Sequence, residues 1–378
     1  MNSSIYIIDA RHRINKIEHE TISRHIKYAV NLEEISHGMC KKISIIQAQK
    51  KNESKYESLA TNLDVIRLHG VFGFISKRQV VKAINKSTNS TSLIFVAGDP
   101  LISGFMAIRL RDWFNKKQAR FARVQIQTHF ELNSINRDKS FKSLIRYHLT
   151  KYALKNADQL RFVGPNQRNS FVQRFHITQP SLVIPVPLNI SSEYLILPRK
   201  IFPETIAFVG RLHIERGLDE FIQIASMISK FKPNLKILIY GDGPEKDKLE
   251  RIIRDSPIKS SIIMKGNLAN LDSEWAKIGV LVSTAPTESY GRAMREAHIH
   301  GVPVLAVQSQ GAKHLHGFAP EGSIILLPTE FSDSAVKNSY ESLKDFVIPI
   351  SYREELLEMQ MDLSKQIPAS WVDLMGMD

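Results

Sequence analysis

The chain has 378 residues, of which 43% are hydrophobic and 24% charged, values typical of a globular protein with two domains. This composition, with Cys40 as the single cysteine, excludes an intrinsically disordered chain and a small scaffold held by disulfides. The apolar start Ile5–Ile8 stops at Asp9, too early for a signal peptide or a membrane-spanning helix, so we expect a cytoplasmic location.

The net charge of +13 is unevenly distributed along the chain. Residues 1–190 contain 30 Lys and Arg against 13 Asp and Glu, which gives +17, whereas residues 191–378 contain 21 against 25, which gives −4. A positive field of this kind attracts a polyanion or an anionic membrane surface. A lysine-rich surface with no such partner is the simpler alternative.

Short β-branched segments alternate with longer amphipathic segments in the first half, which is the pattern of parallel βαβ units. The predicted strands are Ser4–Ile8, Lys42–Gln47, Leu63–Leu68, Ser92–Ala97, Arg123–Thr128, Gln159–Val163 and Leu182–Val186. The predicted helices are His19–Ser36, Ser76–Asn85, Ser103–Asn115, Ser140–Asn156 and Asn166–Phe175. The segment Ile190–Phe202 has no clear period and is predicted to be a linker.

The same alternation continues in the second half. The predicted strands are Thr205–Val209, Leu235–Tyr240, Ser261–Lys265, Val280–Ser283, Val302–Ala306 and Ser323–Leu326. The predicted helices are Leu218–Phe231, Glu245–Asp255, Asp272–Ala276, Gly291–His300 and Asp333–Leu343. The sequence therefore predicts an α/β protein with two tandem doubly wound αβα domains, in which ligands bind beyond the carboxyl ends of the strands.

The turn after the strand Thr205–Val209 reads GRLHIERG. Gly210 permits close backbone approach to a ligand, and Arg211 and Arg216 place two permanent cations at the same edge of the sheet. Two guanidinium groups in this position suit a diphosphate. Two ordinary surface arginines are the alternative.

The segment VLVSTAPTESYGRAMREAHIHGVPVLAV contains two glutamates eight residues apart. Glu288 falls in the loop after a strand, Glu296 falls in the following helix, and the amides of Ser289, Tyr290 and Gly291 lie at the start of that helix. Free N–H groups at a helix N-terminus bind anions, and flanking carboxylates accept hydrogen bonds from sugar hydroxyls. The pattern suits a nucleotide sugar, although glutamates near a helix start also stabilise the helix itself.

In order and spacing, FVGRLHIERGLDEFIQIA, LIYGDGPEKDKLERII, IIMKGNL and TESYGRAMREAHIHGVPVLA resemble the donor domain of retaining glycosyltransferase family 4. That family has the GT-B fold, two Rossmann-like domains with a cleft between them. The match covers about residues 205–312, and the first half resembles the family more loosely through IQTHFE, KNADQLRFVGPNQRNSF and VIPVPLN.

The resemblance implies an acceptor-binding Rossmann-like domain at 1–190, a linker at 191–204 and a donor-binding domain at 205–362. The terminal IPASW resembles the end of the family's last helix, so residues 363–378 are expected to cross back to the first domain.

The resemblance also implies a role for each residue of the motifs. Arg211 and Arg216 would bind the donor diphosphate, although position 216 is usually lysine in the family. Glu288 would hold hydroxyls of the transferred sugar, the amides of residues 289–291 would face sugar and phosphate, and Glu296 would take the ribose hydroxyls.

Further contacts are implied outside these motifs. Gly266 and Asn267 would lie beside the base. His129 would face the sugar from the first domain, unless it is only a packed residue at a strand end. The family's Gly-Gly pair near the phosphates is replaced in INKIE, where Lys16 offers a charge instead.

The implied reaction is hexosyl transfer with retention from a UDP- or GDP-sugar, and no other cofactor is expected. The sequence has no Asp-x-Asp pair, the usual metal-diphosphate signature of the other major glycosyltransferase fold, so arginines and helix-end amides are expected to replace a metal.

The basic first domain suggests a lipid-linked or cell-surface glycan as acceptor, with peripheral contact to the inner face of an anionic cytoplasmic membrane. The segment Gly104–Arg123, with Leu110, Trp113, Phe114 and Phe121, is either a helix on that membrane or a helix packed on the sheet. A soluble enzyme with a small acceptor and a sugar-nucleotide epimerase are the alternatives. A nucleic-acid-binding protein is the alternative outside the enzymes. The sequence contains no recognisable nucleic-acid-binding module, however, and this function would leave the two glutamates unexplained.

Overall fold

A computed structural model describes residues 3–9, 19–49, 55–71, 74–118, 120–129, 132, 141–188, 190, 204–268 and 270–376. The chain divides into two compact units, one formed by Met1–Pro187 with Met361–Asp378 and the other by Leu188–Gln360. Lys16 and, except for Glu204, the predicted linker 191–204 lie outside the described residues.

The first unit is built on a nine-stranded sheet, with the order β3-β4-β2-β1-β6-β7-β8-β9 and β5 paired to β4. The strands are β1 (Ser3–Asp9), β2 (Ile43–Gln49), β3 (Lys55–Ala60), β4 (Leu63–Val71), β5 (Phe74–Ile75), β6 (Ser92–Ala97), β7 (Phe121–Thr128), β8 (Gln159–Phe162) and β9 (Ser181–Val183). β3 and β5 run antiparallel to β4, and the other pairs are parallel. The sequence did not predict β3, because a polar edge strand has no continuous apolar run.

The helices described between these strands are α1 (His19–Ile35), α2 (Lys77–Ser87), α3 (Ile102–Lys117), α4 (Phe141–Asn156) and α5 (Pro165–Phe175). The segment that left two alternatives open is now assigned, because Leu110 and Phe114 of α3 are fully buried in the core and Trp113 packs against it. These apolar side chains are therefore not available to a membrane, and α3 is a helix packed on the sheet.

The second unit is a six-stranded parallel sheet with the order β12-β11-β10-β13-β14-β15. Its strands are β10 (Thr205–Val209), β11 (Lys236–Tyr240), β12 (Ile262–Gly266), β13 (Val280–Ser283), β14 (Val304–Val307) and β15 (Ile324–Leu327). Its helices are α6 (Leu218–Ser229), α7 (Lys246–Asp255), α8 (Asp272–Trp275), α9 (Arg292–Ile299), α10 (Gln310–His316) and α11 (Asp333–Leu343). Two α/β units with parallel sheets confirm the predicted fold class.

The strand order of this second sheet reverses between β10 and β13, because the chain adds β11 and β12 on one side of β10 and then β13 to β15 on the other. Loops leave such a switch point in opposite directions and open a crevice at the carboxyl ends of the strands. The arginine turn follows β10 and the Glu288 loop follows β13, so both predicted motifs meet at this crevice.

The last helix, α12 (Ile350–Met375), begins in the second unit and belongs to the first unit from Met361 onward. It contains Pro368, which lacks an N–H and so leaves the carbonyl of Ser364 without its helical donor. The side chain of Asn31 in α1 donates to that carbonyl at 3.0 Å. Ile367 and Trp371 are buried against the sheet of the first unit. Among the described helices, none is long and apolar enough to span a bilayer.

Candidate functional site

The turn after β10 is held against the end of β13. It contains a short 3-10 turn, Ile214–Arg216, followed by Gly217 with a φ of 65°. A Cβ on Gly217 would lie 2.1 Å from the carbonyl oxygen of Thr284, so only glycine permits this approach. The Thr284 hydroxyl donates to the carbonyl of Arg216 at 3.0 Å. Arg216 is therefore positioned directly beside the loop that follows β13.

A single carboxylate links this arginine to the start of α9. The guanidinium of Arg216 donates to Glu288 Oε2, and Glu288 Oε1 accepts from the backbone N–H of Gly291 at 3.0 Å and from that of Tyr290 at 3.4 Å. Gly291 has a φ of 78° and forms the N-cap of α9. Glu288 thus bridges the two motifs through both of its oxygens.

The Glu288 carboxylate is the ionised form at neutral pH. Burial alone would raise its pKa, but the charge of Arg216 and the hydrogen bonds from Gly291 and Arg216 outweigh burial and lower the pKa below its ordinary value. A fixed negative charge therefore lies at the helix start, where the sequence analysis expected amides free for a ligand.

That expectation needs a correction for two of the three amides. The N–H groups of Tyr290 and Gly291 are already used by Glu288, because its side chain folds back over the next turn and caps the helix. Ser289 and Tyr290 are buried. An anionic ligand reaches these two donors only after the Glu288 side chain rotates away.

The cavity beside the Arg216 and Glu288 pair is small. It measures about 30 Å³ and is lined by Arg216, Thr284, Glu288 and Gly291 together with apolar side chains from β10, β13 and α9. This volume holds about two water molecules. With the ion pair closed, the cavity is therefore too small to enclose a diphosphate.

Arg211 is the exposed cation at this edge of the sheet. Unlike Arg216, it forms no ion pair with any residue that the structure describes. It follows β10 directly, so its charge is available to a ligand at the carboxyl ends of the strands.

Glu296 lies on α9 and is oriented by a buried indole. The Nε1–H of Trp275 in α8 donates to Glu296 Oε1 at 3.1 Å, and Trp275 is fully buried. The Trp275 ring also stacks on His300, with centroids 6.0 Å apart and planes at 14°. Trp275 was not among the predicted site residues, because its partner is 21 residues away in the chain.

Arg295 is a second residue that the sequence analysis missed. Its side chain is 1% exposed, donates to the carbonyl of Tyr290, and lies 2.8 Å from His314 Nδ1. The guanidinium carbon lies 3.8 Å from the centroid of the Tyr290 ring, within cation–π range. Only one sequence signal marks it, a charged residue between apolar positions of an amphipathic helix.

The Tyr290 ring is fixed from its other end as well. Its hydroxyl accepts from the side-chain amide of Gln360, whose oxygen accepts from the backbone N–H of Leu188 at 3.2 Å. Arg295 therefore holds Tyr290 at its carbonyl and its ring, and Gln360 holds it at its hydroxyl.

In the first unit, His129 follows β7 and continues a row of glutamines on one face of that strand. The His129 Nε2 lies 3.2 Å from Gln127 Oε1, and Gln127 Nε2 donates to Gln125 Oε1 at 3.3 Å. Since Gln127 Oε1 is an acceptor, Nε2 of the neutral ring is the protonated nitrogen, and Nδ1 is the nitrogen able to accept a hydrogen bond.

His129 is exposed at the surface yet closely surrounded by protein atoms, so that desolvation lowers its pKa, and the charges of Arg161 and Arg24 lower it further. The imidazole is therefore neutral over the physiological range.

The remaining predicted residues are placed as follows. Gly210 directly follows β10, and Gly266, with a φ of 69°, ends β12 beside the exposed Asn267. Thus Glu288 links Arg216, Tyr290 and Gly291 through hydrogen bonds, whereas Glu296 Oε1 accepts from the indole of Trp275. Among the residues described, no group of three or more His, Cys, Asp or Glu is placed to hold a metal ion.

Comparison with known proteins identifies this second unit. Residues 199–326 match the family model of the glycosyl transferases group 1. The poly(glycerol-phosphate) alpha-glucosyltransferase of Bacillus subtilis is 25% identical over 169 residues, which is 44% of this chain and 24% of that protein. The GtfA subunit of the UDP-N-acetylglucosamine–peptide N-acetylglucosaminyltransferase of Streptococcus pneumoniae is 25% identical over 305 residues, 78% of this chain and 57% of that protein.

The fold has counterparts among solved structures. Sucrose-phosphate synthase from Thermosynechococcus elongatus superimposes with a TM-score of 0.69 at 17% identity, over 99% of this chain and 97% of that one. This likeness concerns the fold alone, which is that of the GT-B glycosyltransferases. The matched part of the chain spans between a quarter and three fifths of the two curated relatives named above.

Proposed function

We propose, on the premise that the chain is a group 1 glycosyltransferase of the GT-B fold, that it moves a hexose from a nucleoside-diphosphate sugar to a hydroxyl acceptor. One observation supports this most strongly. At the switch point of the second sheet, Glu288 contacts Arg216 and the amides at the start of α9, and the exposed Arg211 follows β10 at the same edge.

The residues divide into groups that match the parts of such a donor. Arg211 and Arg216 bind the diphosphate, because guanidinium groups form paired hydrogen bonds to phosphate oxygens. Glu288 accepts hydrogen bonds from the sugar, and Glu296 accepts them from the ribose.

Backbone and distant groups complete the proposed donor site. The amides of Ser289, Tyr290 and Gly291 face the sugar and phosphate once Glu288 engages the sugar instead. Gly266 and Asn267 contact the base, and the neutral His129 accepts a hydrogen bond from the sugar through Nδ1.

The proposed reaction retains the anomeric configuration. The bond from the anomeric carbon to the phosphate oxygen breaks, the bond to the acceptor oxygen forms on the same face, and the acceptor proton passes to the departing phosphate. The two arginines stabilise the charge on the leaving group in place of a metal ion, and each such preorganised group contributes a factor of about 10²–10³ to turnover.

We propose a UDP- or GDP-sugar as donor and no further cofactor. The name of the pneumococcal relative, which states UDP-N-acetylglucosamine, supports the uridine nucleotide. The base contacts proposed for residues 266 and 267 are compatible with either nucleotide, since the glycine offers only backbone groups.

The proposed acceptor is a lipid-linked or cell-surface glycan, in polysaccharide biosynthesis at the inner face of the cytoplasmic membrane. The charge of +17 on residues 1–190 supports an anionic surface or acceptor near the first unit. The B. subtilis relative is named for a phosphate-rich, anionic acceptor, which such a charge also suits.

A thermal-shift screen with UDP, GDP and their sugars tests the donor site. A ligand that binds only the folded protein stabilises it by about 2.7 kcal/mol at a concentration of 100 Kd. We expect Arg211→Ala to reduce the shift, and Arg254→Ala, which removes an exposed arginine of α7, to leave it unchanged. Absence of a shift with every nucleotide would reject the proposal.

Turnover measurements test the reaction. Arg211→Ala at saturating donor is expected to lose about 10²–10³ in rate, and the wild type is expected to remain active in excess chelator. Full activity of the variant would show that Arg211 does not bind the donor diphosphate. Loss of wild-type activity on chelation would reject the metal-free reaction. Conversion of the donor without any acceptor would assign an epimerase instead.

A further inference from the structure

The helix α4 has an apolar stripe that faces solvent. Phe141, Leu144, Ile145 and Tyr152 are 76%, 53%, 44% and 40% exposed, an unusual concentration of large apolar surface on one helix. With the exposed His148, they lie within about 100° of arc at 100° per residue. The opposite side of the helix contains the buried residues, Ser143, Thr150, Ala153 and Leu154.

Basic side chains lie within and around this stripe. At 100° per residue, Lys151 lies beside one edge of the stripe, Lys155 lies within it, Lys142 lies 60° beyond the other edge and Arg146 lies 100° beyond it, and all four are exposed. The helix has no acidic residue, and none of these four cations forms an ion pair with a described residue. Their charge is therefore not neutralised within the part of the chain that the structure describes.

The patch extends onto the neighbouring helix α3. The ring of Tyr152 lies 5.7 Å from that of Phe105, and the guanidinium of Arg109 lies 5.5 Å from the centroid of the Phe105 ring. Aromatic rings next to cations are typical of surfaces that lie between water and hydrocarbon, because the ring is apolar and the charge remains hydrated.

These features favour one kind of partner over a second copy of the chain. A symmetric dimer through this face would bring eight unpaired positive charges together, which opposes association. An anionic bilayer instead supplies apolar depth for the stripe and negative charge for the basic side chains.

We propose that the exposed face of α4 docks on a membrane that contains anionic lipids, with the apolar stripe at the level of the head groups. The docking face is centred on α4 and not on the segment Gly104–Arg123, in which Leu110 and Phe114 are buried in the core. The inference rests on the proposed function in one respect: docking would hold the enzyme near a lipid-linked acceptor.

Co-sedimentation with vesicles tests the docking face directly. We expect the full chain to bind vesicles of phosphatidylglycerol and phosphatidylcholine, and to bind pure phosphatidylcholine weakly. Lys151→Gln with Lys155→Gln should weaken binding about 30-fold, since each cation near the surface contributes about 1 kcal/mol. Leu144→Ser with Ile145→Ser should weaken it about tenfold or more.

Matched variants distinguish the loss of charge or apolar surface on α4 from the same loss elsewhere on the protein. Arg78→Gln with Lys82→Gln removes two exposed charges from α2 of the same unit, and Val347→Ser removes an exposed apolar side chain from the second unit. Both are expected to bind vesicles as the wild type does. All substituted residues are exposed, so the variants are expected to fold, and circular dichroism checks this.

Three outcomes would overturn the proposal. Equal binding by the α4 variants and the α2 variant would mean that only the overall charge matters. Equal binding to neutral vesicles would remove the role of the basic side chains. A dimer in solution that the Leu144 and Ile145 substitutions dissociate would assign the stripe to a second copy. Nucleotide binding in the thermal-shift screen is independent of all three, so failure of the membrane proposal and failure of the proposed function are distinguishable.

Discussion

The indole N–H of Trp371, near the end of the last helix, donates a 2.9 Å hydrogen bond to the side-chain oxygen of Gln125 on β7. The side-chain amide of Gln125 in turn donates to Gln159 and Ser370, at 2.6 and 2.9 Å. The end of α12 is thus part of the hydrogen-bonded row that reaches His129 through Gln127. The helix both covers the sheet of the first unit and orients polar side chains on it.

Replacement of Trp371 tests that coupling. Trp371→Ala should lower the free energy of unfolding by about 3–5 kcal/mol, because it leaves a cavity beside Tyr28 and removes one of the two donors to Gln125 Oε1. Trp371→Phe keeps most of the packing and should lose only about 1 kcal/mol. Urea unfolding measures both, with Asp373→Ala, on the exposed side of the helix, as the control. A change below about 0.5 kcal/mol for Trp371→Ala would contradict the packing described here.

Acid titration tests the ion pair of Glu288. Because folding lowers the pKa of this carboxyl, its ionised form stabilises the fold above the unfolded pKa, and the stabilisation is lost as the pH falls through the folded pKa. Glu288→Gln should therefore cost about 2 kcal/mol at pH 7, and the difference from wild type should shrink below about pH 4.3. Urea midpoints at several pH values measure this, with the exposed Glu250→Gln as control. A difference that does not vary with pH would show that Glu288 acts only through its shape.

Two substitutions of Glu296 separate its structural contact from its proposed contact with the nucleotide. Glu296→Ala removes the acceptor of the buried Trp275 N–H, which should cost about 1–3 kcal/mol of stability as well as nucleotide affinity. Glu296→Gln keeps an acceptor for the indole, so we expect near-normal stability with about tenfold weaker nucleotide binding. Calorimetric titration with the best nucleotide, beside urea unfolding, distinguishes the two. Unchanged affinity in Glu296→Gln would argue against the ribose contact.

Arg295 has an effect that can be measured at a neighbouring ring. Burial and the charge of Arg295 both lower the pKa of His314. Arg295→Met should raise that pKa toward its ordinary value and should destabilise the fold by about 1–3 kcal/mol, because the Tyr290 carbonyl loses its donor. A proton NMR titration of His314 measures the first effect and urea unfolding the second. Arg254→Met, at an exposed arginine, is the control and should change neither quantity. An unchanged His314 titration in Arg295→Met would show that Arg295 does not contact the His314 ring.

Much of the fold was predictable because its signals are local. A buried parallel strand is a short β-branched run, and a covering helix has a period of 3.6 residues, so each can be recognised within about ten residues of sequence. The edge strand β3 was missed since most of its side chains contact solvent and have no apolar pattern. The first part of the long helix α12 was also missed. The helix continues through Pro368 because the side chain of Asn31, 333 residues from Ser364, donates a hydrogen bond to the carbonyl of Ser364 that the proline leaves without a donor.

The candidate site was predictable to the same extent. In a parallel sheet, every strand's carboxyl end lies at one edge, so the turns after β10 and β13 could be matched from spacing alone, and Arg216 and Glu288 are in contact. Which donors are free was not predictable. That Glu288 caps Tyr290 and Gly291, that Trp275 holds Glu296, and that Arg295 lies under Tyr290 depend on side-chain contacts between separate elements.

The amino-acid sequence by itself determined two α/β units, the uneven charge and the resemblance of the second unit to a glycosyltransferase donor domain, because periodicity, composition and motif spacing are properties of neighbouring residues. Only the tertiary structure decided which apolar side chains of the basic half are buried. Leu110 and Phe114 of α3 lie in the core, while an apolar stripe on α4 faces water and exposed cations lie on the same helix. The reason is physical: an amphipathic helix has the same sequence signature whichever surface covers it, and only the three-dimensional packing shows which of its faces remains exposed.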